Sequence, residues 1–471
     1  MKKYLFCLLI VLTIPYGFAQ TTGFLDASTF GFSPDASGLA NVKALQKAVD
    51  RGGTIIVSQP GVYPMAGTVY VGSNTTLDFG DNVFLKKVNE KGTFTHVFLN
   101  KGGLTKTYDE HITIRGLSII VNGQDKAFTE VYGLRGQLAF FYTKDIKIER
   151  FRCMDLEPAQ FCIHVCTFED LIIDDVIIKG KKDGIHLGRG KRFTIKNAVF
   201  QTFDDAIALN AHDYATSNPE LGWIENGLIE NCHDLNAENT TGYFCRILAG
   251  AWIDWKPGME VQQSDAVVSN GKLYRVQNKA DGTNYKSLTQ PTHDKGTVTH
   301  EGINWGVVQD DITYTAGVRN VTFRNVFLEK PRIGLSIHFD TDKYSRSYYP
   351  GADIPLQEQL TFDQIRVLHD KPIPFVVVAT PVNYIAITNS SIRNNGIKFY
   401  SNKAMSDYLK TNILIQGSSF DVDGPMELIK NDVAGKEIHL KTFGNMALHK
   451  NFKAKIVGDT SQIQVESELV E

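Results

Sequence analysis

After Arg51 the sequence almost lacks the three-to-four-residue apolar spacing of a helix, which excludes a helical bundle. It also lacks an excess of either charge. The 49 Lys and Arg face 52 Asp and Glu, and a formal net charge of −3 gives no electrostatic footprint for a nucleic-acid binder. No apolar run reaches the ~20 residues of a membrane span, so stable membrane insertion is not expected. Cysteine is scarce, with six residues in all and neither a CxxC pair nor a His/Cys cluster at zinc spacing. No metal site and no cofactor are therefore expected.

Residues 1–19 combine two lysines, the apolar run from Tyr4 to Pro15 and the small-residue end Gly17-Phe18-Ala19. This is the pattern of a cleaved secretory signal, and it predicts a secreted or periplasmic protein. Removing Cys7 leaves Cys153, Cys162, Cys166, Cys232 and Cys245, an odd count that keeps at least one thiol free. Their strand-like surroundings suit small buried side chains.

Residues 38–51 space Val42, Leu45 and Val49 at helical intervals before Gly52-Gly53, which predicts one short helix able to cover the open end of a strand coil. Beyond it an apolar-Thr/Lys-Ile run followed by a second short strand and a Gly or Asn/Asp turn recurs. It starts at His111, Asp145, Asp170, Arg192, Asn320, Gln359, Asn383 and Asn412. Such a period, short strands and irregular loops predict an all-β fold, a parallel β-helix over residues 20–252 and 312–450. Residues 253–311 interrupt it with hairpin signals at Asp281-Gly282, Lys295-Gly296 and Glu301-Gly302, and read as an inserted small β module. Its Trp255, Tyr274, Tyr285 and Trp305 either stack on sugar rings or fill its own core. Residues 451–471 read as a polar tail.

The repeat is sharpest at Phe161-Cys-Ile-His-Val165, Asp183-Gly-Ile-His-Leu187 and Asp205-Ala-Ile-Ala-Leu209, each 22 residues after the last. Equivalent residues on stacked turns lie roughly 4.8 Å apart. Asp183 and Asp205 then share a column, with Asp204 beside them. Like charges at that range resist joint ionisation, which points to acid and base chemistry. Adjacent residues of a regular strand face opposite ways, so a bend near Thr202-Phe203 must bring one of the pair round.

These residues resemble glycoside hydrolase family 28, the polygalacturonases, which are right-handed parallel β-helices. The likeness covers about Asp170 to Asn210, where Asp183 and Asp204-Asp205 match the family's aspartates in the contexts DGI and DDAIAL. It implies that Asp204 is the general acid and that Asp183 and Asp205 activate water. Lys181-Lys182 stands where the family carries Asn-Thr, and no Gly-His-Gly follows the pair. Arg246 aligns with the family's arginine, and Leu248 falls where its lysine belongs. The implied activity is hydrolysis of a polysaccharide or oligosaccharide in a long groove, with the sugar unassigned.

Around the aspartates, alternation along Ile185-His186-Leu187 sends His186 outward above His164, where both could meet substrate. His212 and Asp213 could orient a sugar hydroxyl, and Arg189 could meet an anionic glycan. His338, Asp340, Asp342, Tyr344, Arg346, Tyr348 and Tyr349 form a second polar concentration that could overhang the site. Three readings stay open. They are an inverting hydrolase, a polysaccharide lyase on the same coil and a non-catalytic glycan-binding protein.

Overall fold

A computed structural model describes residues 23–470, apart from 127, 129, 238–239, 339–345 and 401–408. The signal-like segment 1–19 therefore lies outside the described residues, as do Asp340, Asp342 and Tyr344. The chain winds into a right-handed parallel β-helix of three strand columns, joined as one sheet of 31 strands. Alternation drives it. Strands such as Thr75–Phe79 and Val83–Lys87 bury every second side chain, and those residues stack turn upon turn into a single hydrophobic core.

The corners are built by residues that tolerate a left-handed backbone. Asn197, Asn231, Asn325 and Asn389 have φ of 54, 53, 50 and 49°, a conformation that suits Asn better than a branched residue. The first three also form a side-chain ladder, with Asn231 donating to Asn197 at 3.2 Å and Asn325 to Asn231 at 2.7 Å.

The helix spans Gly38–Val49 and closes the N-terminal end. Ser37 caps it by accepting from the Ala40 amide at 3.2 Å. Its buried stripe is Asn41, Ala44, Leu45, Ala48 and Val49, so Val42 sits at the margin of the stripe. At the other end Lys453–Gly458 and Ile463–Glu466 pair with the preceding turn. Residues 453–458 and 463–466 are thus strands of the last turn, because a polar outward face does not prevent residues such as Ala454 and Ile456 from joining the core.

The interruption begins where Gly250–Ala251 pairs antiparallel with Thr315–Ala316. Beyond that neck lies a five-stranded sheet of Ile253–Asp254, Ala266–Ser269, Lys272–Val276, Ile303–Gln309 and Thr297–His300. Its hairpins turn at Asn270-Gly271 and at Glu301-Gly302. Tyr274 and Trp305 are fully buried in its own core, with Trp255 and Tyr285 packed half-buried against them. None of the five described cysteines forms a disulfide, and all are buried.

Candidate active site

The site stands on one strand column. Phe161–Gly180, Ile185–Leu187, Ile207–Asn210, Cys245–Leu248 and Leu335–His338 pair in sequence order, with Ile163, Ile185, Ile207, Cys245 and Leu335 in one register. The outward neighbours are His164, His186, Ala208, Arg246 and Ser336. Backbone bonding continues ahead of the strands, from Cys162 N–H to Asp183 O and from Gly184 N–H to Asp205 O, both at 3.0 Å. Asp183 and Asp205 are consequently stacked.

Asp204 reaches the same spot through the expected bend. The Thr202 hydroxyl donates to Asp204 O at 3.0 Å, and the amides of Thr241 and Gly242 both donate to Phe203 O at 2.9 and 3.1 Å. Gly242 presses on the corner so closely that a Cβ there would lie 2.2 Å from the Asp204 carbonyl carbon. Arg332 holds the far side, donating to Asp204 O at 3.2 Å and pairing with buried Asp234 at 3.2 Å.

One carboxylate oxygen from each of Asp183, Asp204 and Asp205 lies within 4.8 Å of the others. Asp183 and Asp205 are buried, and solvent reaches the cluster through Asp204, whose side chain is 30% exposed. Lys182 supplies a counter-charge, bonded to Asp204 and 3.7 Å from Asp183. Arg246 is half-buried and bears electrostatically on all three acids.

These surroundings separate the three acids. Burial alone would push the Asp183 carboxyl up. The Lys182 charge, the His186 hydrogen bond and Arg246 outweigh it and hold Asp183 well below the usual carboxylate range. Burial and the Asp183 charge raise Asp204 against the pull of Lys182 and Arg246. Burial and then the Asp204 and Asp183 charges push Asp205 well above its ordinary value, although its Oδ1 accepts from the Tyr243 amide at 2.7 Å. For Lys182 burial works downward, but Asp183 and Asp204 reverse it and leave the ammonium raised. Three clustered carboxylate oxygens can also form part of a hard cation's shell; here the Lys182 ammonium already contacts two of the acids.

No protein-family model and no curated protein matches this chain. The fold has solved counterparts. The catalytic unit of a GH87 α-1,3-glucanase from Streptomyces thermodiastaticus superposes with a TM-score of 0.51 at 11% identity, over 95% of this chain and 71% of that one. The tailspike protein of E. coli bacteriophage HK620 gives 0.50 at 8% identity, over 92% and 66%. The family 28 exopolygalacturonase of Yersinia enterocolitica gives 0.43 at 13% identity, over 93% and 79%. At such identities the first two share the parallel β-helix and nothing finer follows.

His164 and His186 do point outward from the coil, but other chain covers them, and they are 0 and 1% exposed. His186 stacks on Phe161 with ring centroids 4.0 Å apart. Its Nδ1 lies 2.9 Å from Asp183 Oδ2 and its Nε2 3.6 Å from Asp213 Oδ2. It therefore orients Asp183 rather than meeting solvent. His212 is buried against Gly250 and Trp252.

Arg189 belongs to a different assembly. It forms a two-pronged pair with Asp311 at 2.9 and 2.6 Å and lies 3.7 Å from buried Glu220. That site lines a cavity of about 270 Å³ with Tyr108 and Trp223. In the second polar stretch, Arg346 pairs with Asp265 at 3.3 Å and the Tyr349 hydroxyl donates to Glu260 O at 2.9 Å, so both brace the inserted module. Tyr348 bonds within its own loop, to Ala352 O at 2.9 Å. His338 sits with its ring 6.0 Å from that of Tyr243.

Lys182 was legible in the sequence, since the 22-residue repeat that sets Asp183 over Asp205 also sets Lys182 over Asp204. Arg135 and Tyr214, which meet beside the cluster at 2.9 Å, carry no such signal because they come from loops far apart in the chain.

Proposed function

We propose that the protein is an exported glycoside hydrolase of a polysaccharide or oligosaccharide, similar in its acids to glycoside hydrolase family 28. Asp204 is the general acid, Asp183 the general base, and Asp205 helps hold the attacking water. One observation carries the reading: successive turns gather three carboxyls within 4.8 Å while their environments drive their proton affinities apart. Glycosidic cleavage needs that inequality, because one carboxyl must arrive protonated and another ionised. Asp204 is raised and the most exposed of the three, so it can meet the leaving oxygen. Asp183 is held ionised and can take a proton from water, with its orientation set by His186. Arg246, on the outward face of the column and half-buried, is the group assigned here to receive a sugar hydroxyl or carboxylate.

Inversion places a water between the two working carboxyls, with a separation of about 6.5 to 9.5 Å. The nearest oxygens are closer here, within 4.8 Å, and the Lys182 ammonium stands between Asp204 and Asp183. In the proposed cycle Asp204 turns off Lys182 onto the glycosidic oxygen and opens room for the water. Product freshly released and read by proton NMR is expected to have the inverted anomeric configuration. Retention would instead make Asp183 a nucleophile.

A polysaccharide lyase on the same coil would recast Arg246 and the carboxylates as its base and anion-stabilising groups, and its unsaturated product separates it from a hydrolase. The test is Asp204→Asn assayed on a panel of plant, algal and bacterial polysaccharides, with reducing ends and ultraviolet absorbance read together. The parent is expected to release reducing ends without absorbance. The variant should lose about 10²- to 10⁴-fold in kcat, the usual contribution of a general acid, with an unchanged melting temperature. Equal turnover by parent and variant removes Asp204 from the chemistry, and unchanged glycan binding with no parental turnover would make this a binding protein.

A further inference from the structure

The outward face of the aspartate-bearing column is not an open trough. Tyr70, Leu99, Ala139, His164 and His186 follow one another in register along it. Leu99, Ala139 and His164 are 0% exposed and His186 1%. A chain lying along the coil axis would have to cross these residues, and two layers of protein already do.

Residues 131–135 form the first layer. Val131 and Leu134 pack on Leu99, Ala139, Phe141 and Cys166, and the Arg135 amide donates to His164 Nδ1 at 3.0 Å. The loop 212–222 forms the second. Asn218 lies over Gly188 so tightly that a Cβ there would come within 2.4 Å of Asn218 Oδ1. Gly133, at φ +89°, passes beneath the backbone of Ala215 and Asn218, about 3.0 Å from where its Cβ would be.

The inserted module braces this cover from outside. Arg275 is buried and donates to the carbonyls of Asp213, Ala215 and Asn218 at 3.2, 3.4 and 2.6 Å. Lys106 joins Glu220 and Val308 O at 2.9 and 2.6 Å. At its aspartate end the cover finishes in Arg135 and Tyr214, bonded at 2.9 Å, with the guanidinium 4.9 Å above the Phe161 ring and Lys182 5.7 Å from the same ring. On the other side Phe203 is 39% exposed, and Tyr243 and Arg246 are half-buried.

We propose that the aspartates lie at the bottom of a closed-ended pocket, with Arg135 and Tyr214 as its end wall backed by the buried Phe161 ring, and that the enzyme removes sugars from chain ends. This rests on the hydrolase reading above and revises the expectation of a long groove. The buried arginine and the packed apolar layer make the wall a fixed part of the fold, since freeing it would strand buried polar and charged groups. The inserted module thereby sets the mode of attack without touching the sugar.

The parent protein is incubated with polygalacturonate, rhamnogalacturonan, alginate and α-1,3-glucan and with their tri- to hexasaccharides, and products are sized from the earliest turnover. Each cleaved polymer is also compared, at equal mass, before and after sonication to about one tenth of its length. Only mono- or disaccharide is expected from the start, with an initial rate that rises about tenfold on sonication, because below saturation the rate follows the concentration of reactive ends. A ladder of intermediate lengths at a rate indifferent to sonication overturns the pocket while leaving hydrolysis standing; it would mean that the glycan runs across the column. Failure to cleave any polymer or oligomer overturns the hydrolase reading and this inference with it.

Discussion

Three carboxyls in one cluster would be nearly useless if they titrated alike, and Lys182 is the cation that bears on both proposed working acids. Its ammonium contacts Asp204 and lies near Asp183, and it lowers the proton affinity of both. Lys182→Met removes that cation while keeping most of the side chain's length. Asp183, the proposed base, then holds its proton to higher pH, so the acidic limb of kcat/KM moves up. Asp204, the proposed acid, keeps its proton longer, so the alkaline limb moves up as well. Each limb is expected to shift by about 1 pH unit or more, the effect of one opposite charge at this range. A profile unmoved by the substitution would show that neither limb belongs to these acids. His186 works at the same scale: a buried ring between two buried carboxylates fixes which way Asp183 points.

At the scale of the element, the decisive piece is the corner between the strands Gly190–Thr202 and Ile207–Asn210. A regular strand would send Asp204 and Asp205 to opposite faces. The bend is held by the 240–242 segment, and Gly242 is glycine because the backbone of Asp204 and Asp205 leaves no room for a side chain. Gly242→Ala must push the corner away, at a cost on the order of 1–3 kcal/mol in strain. Activity is expected to fall much further than the melting temperature, since displacement by about 1 Å can cost 10²-fold in rate. Calorimetry and kinetics on the same preparation check this, and an active variant would show that the corner tolerates movement. The corner was half legible. The Asp-Asp pair one repeat after Asp-Gly required a bend, but the segment that clamps it lies nearly forty residues downstream and crosses it only in the folded coil.

At the scale of the whole molecule, the coil interior is continuous and apolar, and an ion inside it should be felt globally. Lys87 is such a group, buried in the coil with its Nζ donating to Phe94 O and Thr95 O at 3.1 Å and to Gln137 and Gln160 at 3.0 and 3.2 Å. Burial pushes its ammonium from 10.5 down to about 7, although Asp125, Cys153 and Glu130 pull the other way. Between those two values the open chain holds a proton that the folded chain does not, so this group's contribution to stability rises with pH across the window. Lys87→Met is expected to remove that rise. The difference in melting temperature between parent and variant should change from pH 7 to pH 10, and a constant difference would show that Lys87 stays charged in the fold. What the sequence determined alone was whatever repeats: alternation and period specify the coil, its turns and the stacking of Asp183 on Asp205, because each turn contacts mainly its neighbours. The burial of His164 and His186, the removal of Arg189 to a separate cluster and the end wall of Arg135 and Tyr214 were decided only by tertiary structure. Those features depend on loops and an inserted module that meet over the coil, and residues far apart in sequence with no shared period leave no pattern to read.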